Sequence, residues 1–227
     1  MVFYSPKKEY YCGHCAYDCG ADIRRPKGRV GVVREGGVEM DFEQEKNLAG
    51  CCGIHCGLCP RHQSKAASRC PGCKILSQTI SCKLYNCCFK KNGFATCAEC
   101  GDFPCEKYEK FFDFDSFVSH RVCLPNLEQV KQVGLRKWLA EHTKRRRAVE
   151  NLLANFNEGR SMSFFCVATA LMPPEKLKRA VAEARKQIRR GNVDDADIKA
   201  KAKIVRSAIE DAASEAGISL KLRHGKK

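Results

Sequence analysis

Cys51-Cys52-Gly53-Ile54-His55-Cys56-Gly57-Leu58-Cys59-Pro60 opens a stretch that continues through Cys70-Pro71-Gly72-Cys73, Cys82, Cys87-Cys88 and Cys97-Ala98-Glu99-Cys100 to Cys105. It holds 12 of the chain's 17 cysteines. Two thiolates separated by two residues can bind one ion, because the turn between them aims both Cβ vectors the same way and backbone N–H groups support the sulfurs. Cys56/Cys59, Cys70/Cys73 and Cys97/Cys100 are three such pairs. Gly53, Gly57, Gly72 and Gly101, with Pro60, Pro71 and Pro104, shape the turns beside them. The stretch is poor in long apolar runs, so metal sites are expected to replace much of its missing core and to couple folding to metal uptake.

Seventeen cysteines also suit a disulfide scaffold. Against that, the count is odd, and Met1 to Lys8 contains no apolar segment of signal-peptide length. Metal thiolates in a reducing, cytoplasmic setting are the expectation. No run of 18 apolar residues occurs, so no membrane partner is expected.

Three parts follow from the pattern. Residues 1–50 form an N-terminal cysteine arm and β-hairpin, 51–110 a cysteine-rich metal-binding domain, and 111–227 a basic α-helical domain. In the arm, Cys12-Gly13-His14-Cys15 and Cys19 offer three further ligands that need a fourth, with Cys51 or His14 as candidates. Residues 29–34 and 38–42 flank Glu35-Gly36-Gly37 and read as a hairpin. Beyond Cys105, a helix is expected from Glu106. Leu127, Val130, Gly134 and Trp138 step by three and four up to the basic run Lys144-Arg145-Arg146-Arg147, and Val149, Leu152, Leu153 and Phe156 form another stripe. Two long amphipathic helices close the chain, 174–190 and a second capped by Asp194 or Asp195 that runs to Gly217. The fold class is therefore an irregular cysteine-rich metal-stabilised domain, with a short β-hairpin and knuckle-like loops, followed by an α-helical domain ending in a long helical hairpin. Cys123 and Cys166 read as small core residues.

Cys52-Gly53-x2-Cys56-x2-Cys59-Pro60, Cys70-x-Gly72-Cys73, Cys82, Cys88 and Cys97-x2-Cys100-x2-Phe103-Pro104-Cys105-Glu106 resemble the bacterial and archaeal domain of unknown function numbered 3795, over about residues 50–115. The resemblance implies a cysteine-rich metal-binding module and no established activity. The candidate ligands are Cys52, Cys56, Cys59, Cys70, Cys73, Cys82, Cys88, Cys97, Cys100 and Cys105, with Cys51, Cys87, Cys12, Cys15 and Cys19 beside them. The ten family-type cysteines make two tetrahedral zinc sets with two left over. One division assigns Cys70, Cys73, Cys82 and Cys88 to one site and Cys56/Cys59 with Cys97/Cys100 to the other.

The expected cofactor is zinc, two or three ions, with [4Fe–4S] clusters as the alternative. Cys52-x3-Cys56-x2-Cys59 matches the spacing of radical enzymes that cleave S-adenosylmethionine, but the helical remainder cannot build their barrel. The ferredoxin run is absent. No Ser, His and Asp constellation is suggested, which points to an accessory or binding factor rather than a conventional enzyme. The formal charge is +15, with balances of 0, +5 and +10 over the three parts. That excess makes RNA or a ribonucleoprotein a candidate partner. The four-three spacing of the terminal helical hairpin makes a partner protein another.

Overall fold

The computed structural model describes residues 32–35, 38–76, 81–109, 111 and 113–224. Cys12, Cys15, Cys19 and residues 29–31 of the expected first strand lie outside them, as do Gly36 and Gly37. In chain order the elements are β1 (Val32–Glu35), β2 (Val38–Asp41), α1 (Phe42–Leu48), α2 (Pro60–Gln63), α3 (Cys73–Leu76), α4 (Lys83–Tyr85), α5 (Cys123–Val133), α6 (Leu135–Phe156), α7 (Met162–Leu171), α8 (Pro174–Arg190) and α9 (Ile198–Glu215). A π-helical turn, Asn86–Lys91, extends α4, and tight 3-10 turns cover Cys56–Leu58, Cys97–Glu99, Glu106–Tyr108 and His120–Val122.

The expected fold class is corrected by this architecture. The described chain is predominantly helical and has no β-sheet layer. The cysteine stretch is a string of short helical turns rather than irregular knuckles, and it packs against α5 and α6 instead of standing apart. Extended structure amounts to the β1/β2 ladder, Val32 opposite Asp41 through Glu35 opposite Val38, and one isolated bridge between Ala49 and His55. The expected second strand ran through Phe42. In the structure Asp41 caps α1 by accepting from the Gln44 amide at 3.1 Å, and the chain turns helical at Phe42. The expected helix from Glu106 is a single 3-10 turn.

Two further boundaries differ from the sequence reading. The stripe Leu127, Val130, Trp138 is broken at Gly134, whose φ of +82° ends α5 and admits α6. From there α6 runs unbroken through the basic run to Phe156. The second terminal helix is capped by Asp197, which accepts from the Ala200 amide at 2.9 Å, while Asp194 holds the preceding turn through the Ala196 amide.

Helix α6 carries two cores. Its first half puts Trp138, Leu139 and Ala140 into a cluster with Leu84, Tyr85, Phe103, Tyr108, Leu127 and several cysteines. Its second half puts Val149, Leu152 and Phe156 against Phe165, Met172, Leu177, Ala184, Val205 and Ile209, and Leu58 reaches this core from the cysteine stretch. Residue Trp138 is 1% exposed, and a side chain of that size contributes about 3–5 kcal/mol against truncation to Ala.

The basic run is largely consumed in holding these elements together. Arg145 donates to the Thr169 and Met172 carbonyls at 2.7 and 2.9 Å, closing the C-terminal end of α7. Arg146 donates to buried Glu45 at 2.6 Å and to Glu150 at 2.6 Å, joining α1 to α6. The other oxygen of Glu45 is 3.3 Å from Nε2 of buried His55. Burial alone would raise the Glu45 carboxyl, but His55 and Arg146 together hold it below the usual range. Gly57 is required here, since a Cβ would come 2.6 Å from the Arg146 side chain. Glu45→Gln removes the buried carboxylate shared by Arg146 and His55, leaves Arg146 paired with Glu150, and is expected to lower the unfolding free energy by about 2 kcal/mol in urea titrations.

The C-terminal tail is clamped by Asp115, whose side chain is fully buried. It accepts from the Arg223 amide at 2.9 Å, the Arg223 guanidinium at 2.9 Å and the His120 amide at 2.8 Å. Burial pushes this carboxyl up, and those donors outweigh it, bringing it to about 2. Because the folded value lies below the ordinary one, this contribution is complete above about pH 4 and is lost as pH falls toward 2. Asp115→Asn is expected to cost about 1–2 kcal/mol at pH 7, discounted for the half-exposed arginine, and progressively less as urea titrations approach pH 2.

Candidate metal centre

Backbone ties draw the cysteine turns into one place. The Cys97 amide donates to the Cys51 carbonyl at 3.0 Å, the Phe94 amide to the Cys88 carbonyl at 3.0 Å, and the Gly50 amide to the Ile54 carbonyl at 2.7 Å. Buried His62 is bonded through Nδ1 to the Cys70 carbonyl at 3.0 Å and through Nε2 to Arg69 at 3.1 Å, which fixes the loop between α2 and α3. All 14 described cysteines are free thiols.

The sulfurs meet in a small number of contacts. Cys88 is hydrogen-bonded to both Cys51 and Cys97, Cys56 to Cys73, and Cys52 to Cys123. Cys52 also lies within electrostatic reach of Cys73, and Cys56 within reach of Cys52. Cys82 lies within reach of Cys52 and Cys73, and Cys59 within reach of Cys70. Among the described residues no three Cys, His, Asp or Glu side chains are arranged around one point as ligands of a single ion. Cys87 is turned aside on the π-helical turn, beside the Asn92 amide. Cys100 and Cys105 are half-buried against the first core. This grouping differs from the division drawn from spacing, since Cys88 joins Cys51 and Cys97 while Cys73 joins Cys56.

Two features bear on whether these donors suit a thiophilic metal. The first is N–H···S bonding. Cys52 accepts from the Ile54 amide, Cys56 from that of Cys73, Cys59 from those of Arg61 and His62, and Cys82 from those of Leu84 and Tyr85. Such donors favour an anionic sulfur, but here burial and neighbouring thiols outweigh them and push all four thiols up. The second is Lys74. It is 7% exposed and donates to the Lys46 carbonyl at 2.9 Å. Burial pushes its ammonium below the usual lysine range, the Cys51, Cys88 and Cys56 sulfurs oppose that, the Lys46 ammonium adds to it, and no carboxylate pairs with it among the described residues. A buried ammonium without a counter-charge costs several kcal/mol. Neutral thiols supply no such charge, whereas thiolates bound to a metal do. The donor set therefore fits a metal–thiolate group in its chemistry.

The same contacts polarise individual thiols. The hydrogen bond from Cys56, opposed by burial and aided by Lys74, brings Cys73 down to about 7. The bond from Cys88, with help from the Tyr108 hydroxyl and against burial, brings Cys97 to about 7. The bond from Cys88 also lowers Cys51, with Lys74 assisting. Cys166 lies within electrostatic reach of Cys59, and burial pushes it up to about 12.

Sequence reasoning missed Lys74, Tyr108 and the position of Cys123. Lys74 follows Cys73 directly, but nothing in that dipeptide announces a buried lysine. Cys123 has no neighbour at chelating distance in sequence, and its approach to Cys52 is set by tertiary packing.

No protein-family model, curated protein or solved structure matches the chain. In metal-stripped protein, iodoacetamide labelling of Cys73 read by mass spectrometry is expected to half-titrate near pH 7. Lys74→Met should slow it several-fold at that pH, by removing the charge that favours the thiolate.

Proposed function

We propose that the protein is a metal–thiolate accessory factor, with zinc as the first candidate metal, whose helical C-terminal half presents a basic surface to RNA or a ribonucleoprotein. The observation that carries the metal reading is the buried Lys74 ammonium beside the Cys51, Cys88 and Cys56 sulfurs. Cys51, Cys88 and Cys97 would have to draw together to serve one centre, and Cys52, Cys56 and Cys73 another, since no three such side chains are grouped as ligands among the described residues. Bound metal would supply folding free energy by cross-linking turns that share little apolar surface.

For the nucleic-acid reading, the supporting residues are not those of the Lys144 to Arg147 run, in which Arg145 and Arg146 are tied to protein partners. They are Lys178, Arg179, Lys186, Arg189 and Arg190 on α8, with Lys199 and Lys203 on α9, all exposed. Phe117 is 54% exposed beneath the Arg61 guanidinium at 4.9 Å, an aromatic and cation pairing on which bases can stack. No helix among the described residues is long and apolar enough to cross a membrane.

Protein purified without oxygen is expected to carry stoichiometric zinc by elemental analysis and to stay colourless. Iron with absorbance near 400 nm would replace zinc by an iron–sulfur cluster, and a folded sample free of both would refute the metal reading. In filter binding, affinity for RNA should fall steeply with salt. Absence of binding at low salt would remove the partner.

A further inference from the structure

From Lys46 through Ala98 the chain carries eight Lys and Arg residues and no Asp or Glu. Beside that acid-free stretch lies a recess of about 320 Å³, lined by α1, α2, α3, the loop joining the last two, and α6. Its size falls within the roughly 300–1,000 Å³ of small-molecule sites. We propose that this recess binds a phosphomonoester, with Arg69 as the principal phosphate ligand and Arg146, Gln44 and Asn47 as further donors.

The orientation of Arg69 is fixed by a buried ring. His62 is 8% exposed. Its Nδ1 is 3.0 Å from the Cys70 carbonyl, and since a carbonyl can only accept, that nitrogen carries the proton. Nε2 is therefore free to accept, and it does so from the Arg69 guanidinium at 3.1 Å. This bond uses one of the five N–H donors of Arg69, and no carboxylate pairs with the exposed guanidinium among the described residues. An arginine held by a neutral imidazole keeps its full charge and most of its donors for a ligand.

The rest of the lining complements it. Arg146 is balanced in charge by Glu45 and Glu150, yet their bonds leave one hydrogen on each of its Nη atoms. The side-chain amides of Gln44 and Asn47 make no bond within the protein among the described residues, and no carboxylate lines the recess. Two guanidiniums and two amides offer more donors than the two oxygens of a carboxylate can use, whereas a phosphomonoester presents three acceptor oxygens. Leu48, Pro71 and Ile75 form the remaining wall, and Ile75 is 54% exposed. A bare anion leaves that wall wet, and an organic body attached to the phosphate covers it.

Calorimetric titration of the protein as purified, with AMP and with inorganic phosphate, tests the proposal in wild type, R69M and K65M. Lys65 is an exposed cation of the same loop that does not line the recess. AMP should bind once per chain and more tightly than inorganic phosphate. R69M should weaken AMP at least tenfold and K65M less than twofold. Equal losses in the two variants would mark diffuse charge attraction and overturn the proposal, as would wild type that binds no AMP or binds inorganic phosphate equally well. If R69M fails to fold, NMR of the unmutated chain decides. AMP should shift the side-chain amide signals of Gln44 and Asn47, and shifts confined to other residues would overturn the assignment. A 5′-phosphorylated RNA trinucleotide separates two sources of the group. Tighter binding than AMP, lost with the 5′-phosphate, assigns it to an RNA end, and weaker binding assigns it to a free small molecule. Either result upholds the recess as the phosphate site.

Discussion

A positive charge enclosed by sulfur is the constraint on which the cysteine half of this molecule depends. The Lys74 ammonium is withdrawn from water and bonded to one carbonyl, and it faces Cys51, Cys56 and Cys88. Its burial is tolerable when the sulfurs around it are anionic; the contact from Cys88 lowers Cys51 beside it, whereas neighbouring thiols and burial push Cys56 and Cys88 up. Several thiolates without a cation would repel one another strongly at low dielectric. One ammonium offsets only part of that charge, and a bound metal would neutralise more of it while closing the turns into a single unit.

Helix α6 connects this electrostatic centre to ordinary apolar packing. Trp138 and Leu139 lie under the cysteine turns, and Val149 and Leu152 lie under the terminal helices. Between them, Arg145 and Arg146 are spent on the end of α7 and on Glu45. A disturbance in the cysteine turns therefore has a physical route along one rigid element to the second core. Leu58, which sits within the cysteine stretch yet packs in that core, supplies a second connection.

The helices of the second core were legible in the sequence because their apolar residues recur at the α-helical period. Leu177, Ala184 and Ile188, and Ala202, Val205 and Ile209, are buried as the periodicity implied. The start of α1 was also legible, since Asp41 followed by Gln44 at the third helical position is a capping pattern, but the strand reading overran it. Gly134 was counted into a stripe although its backbone breaks the helix there. The sulfur grouping could not be read at all. Spacing fixes which cysteines can share a turn, whereas the meeting of Cys51 with Cys88, or of Cys52 with Cys123, depends on contacts between distant segments. The same holds for Lys74 and for the inward half of the basic run, where composition gives the charge and only packing decides whether it meets solvent or a partner.

The central claim is that the sulfurs gathered around Lys74 act as ligands of a metal ion. X-ray absorption at the metal edge, on protein purified without oxygen and without added metal, tests it most directly. Sulfur at about 2.3 Å is expected to dominate the metal's nearest neighbours. A first shell of oxygen and nitrogen, or the absence of any bound metal from a well-folded sample, would contradict it.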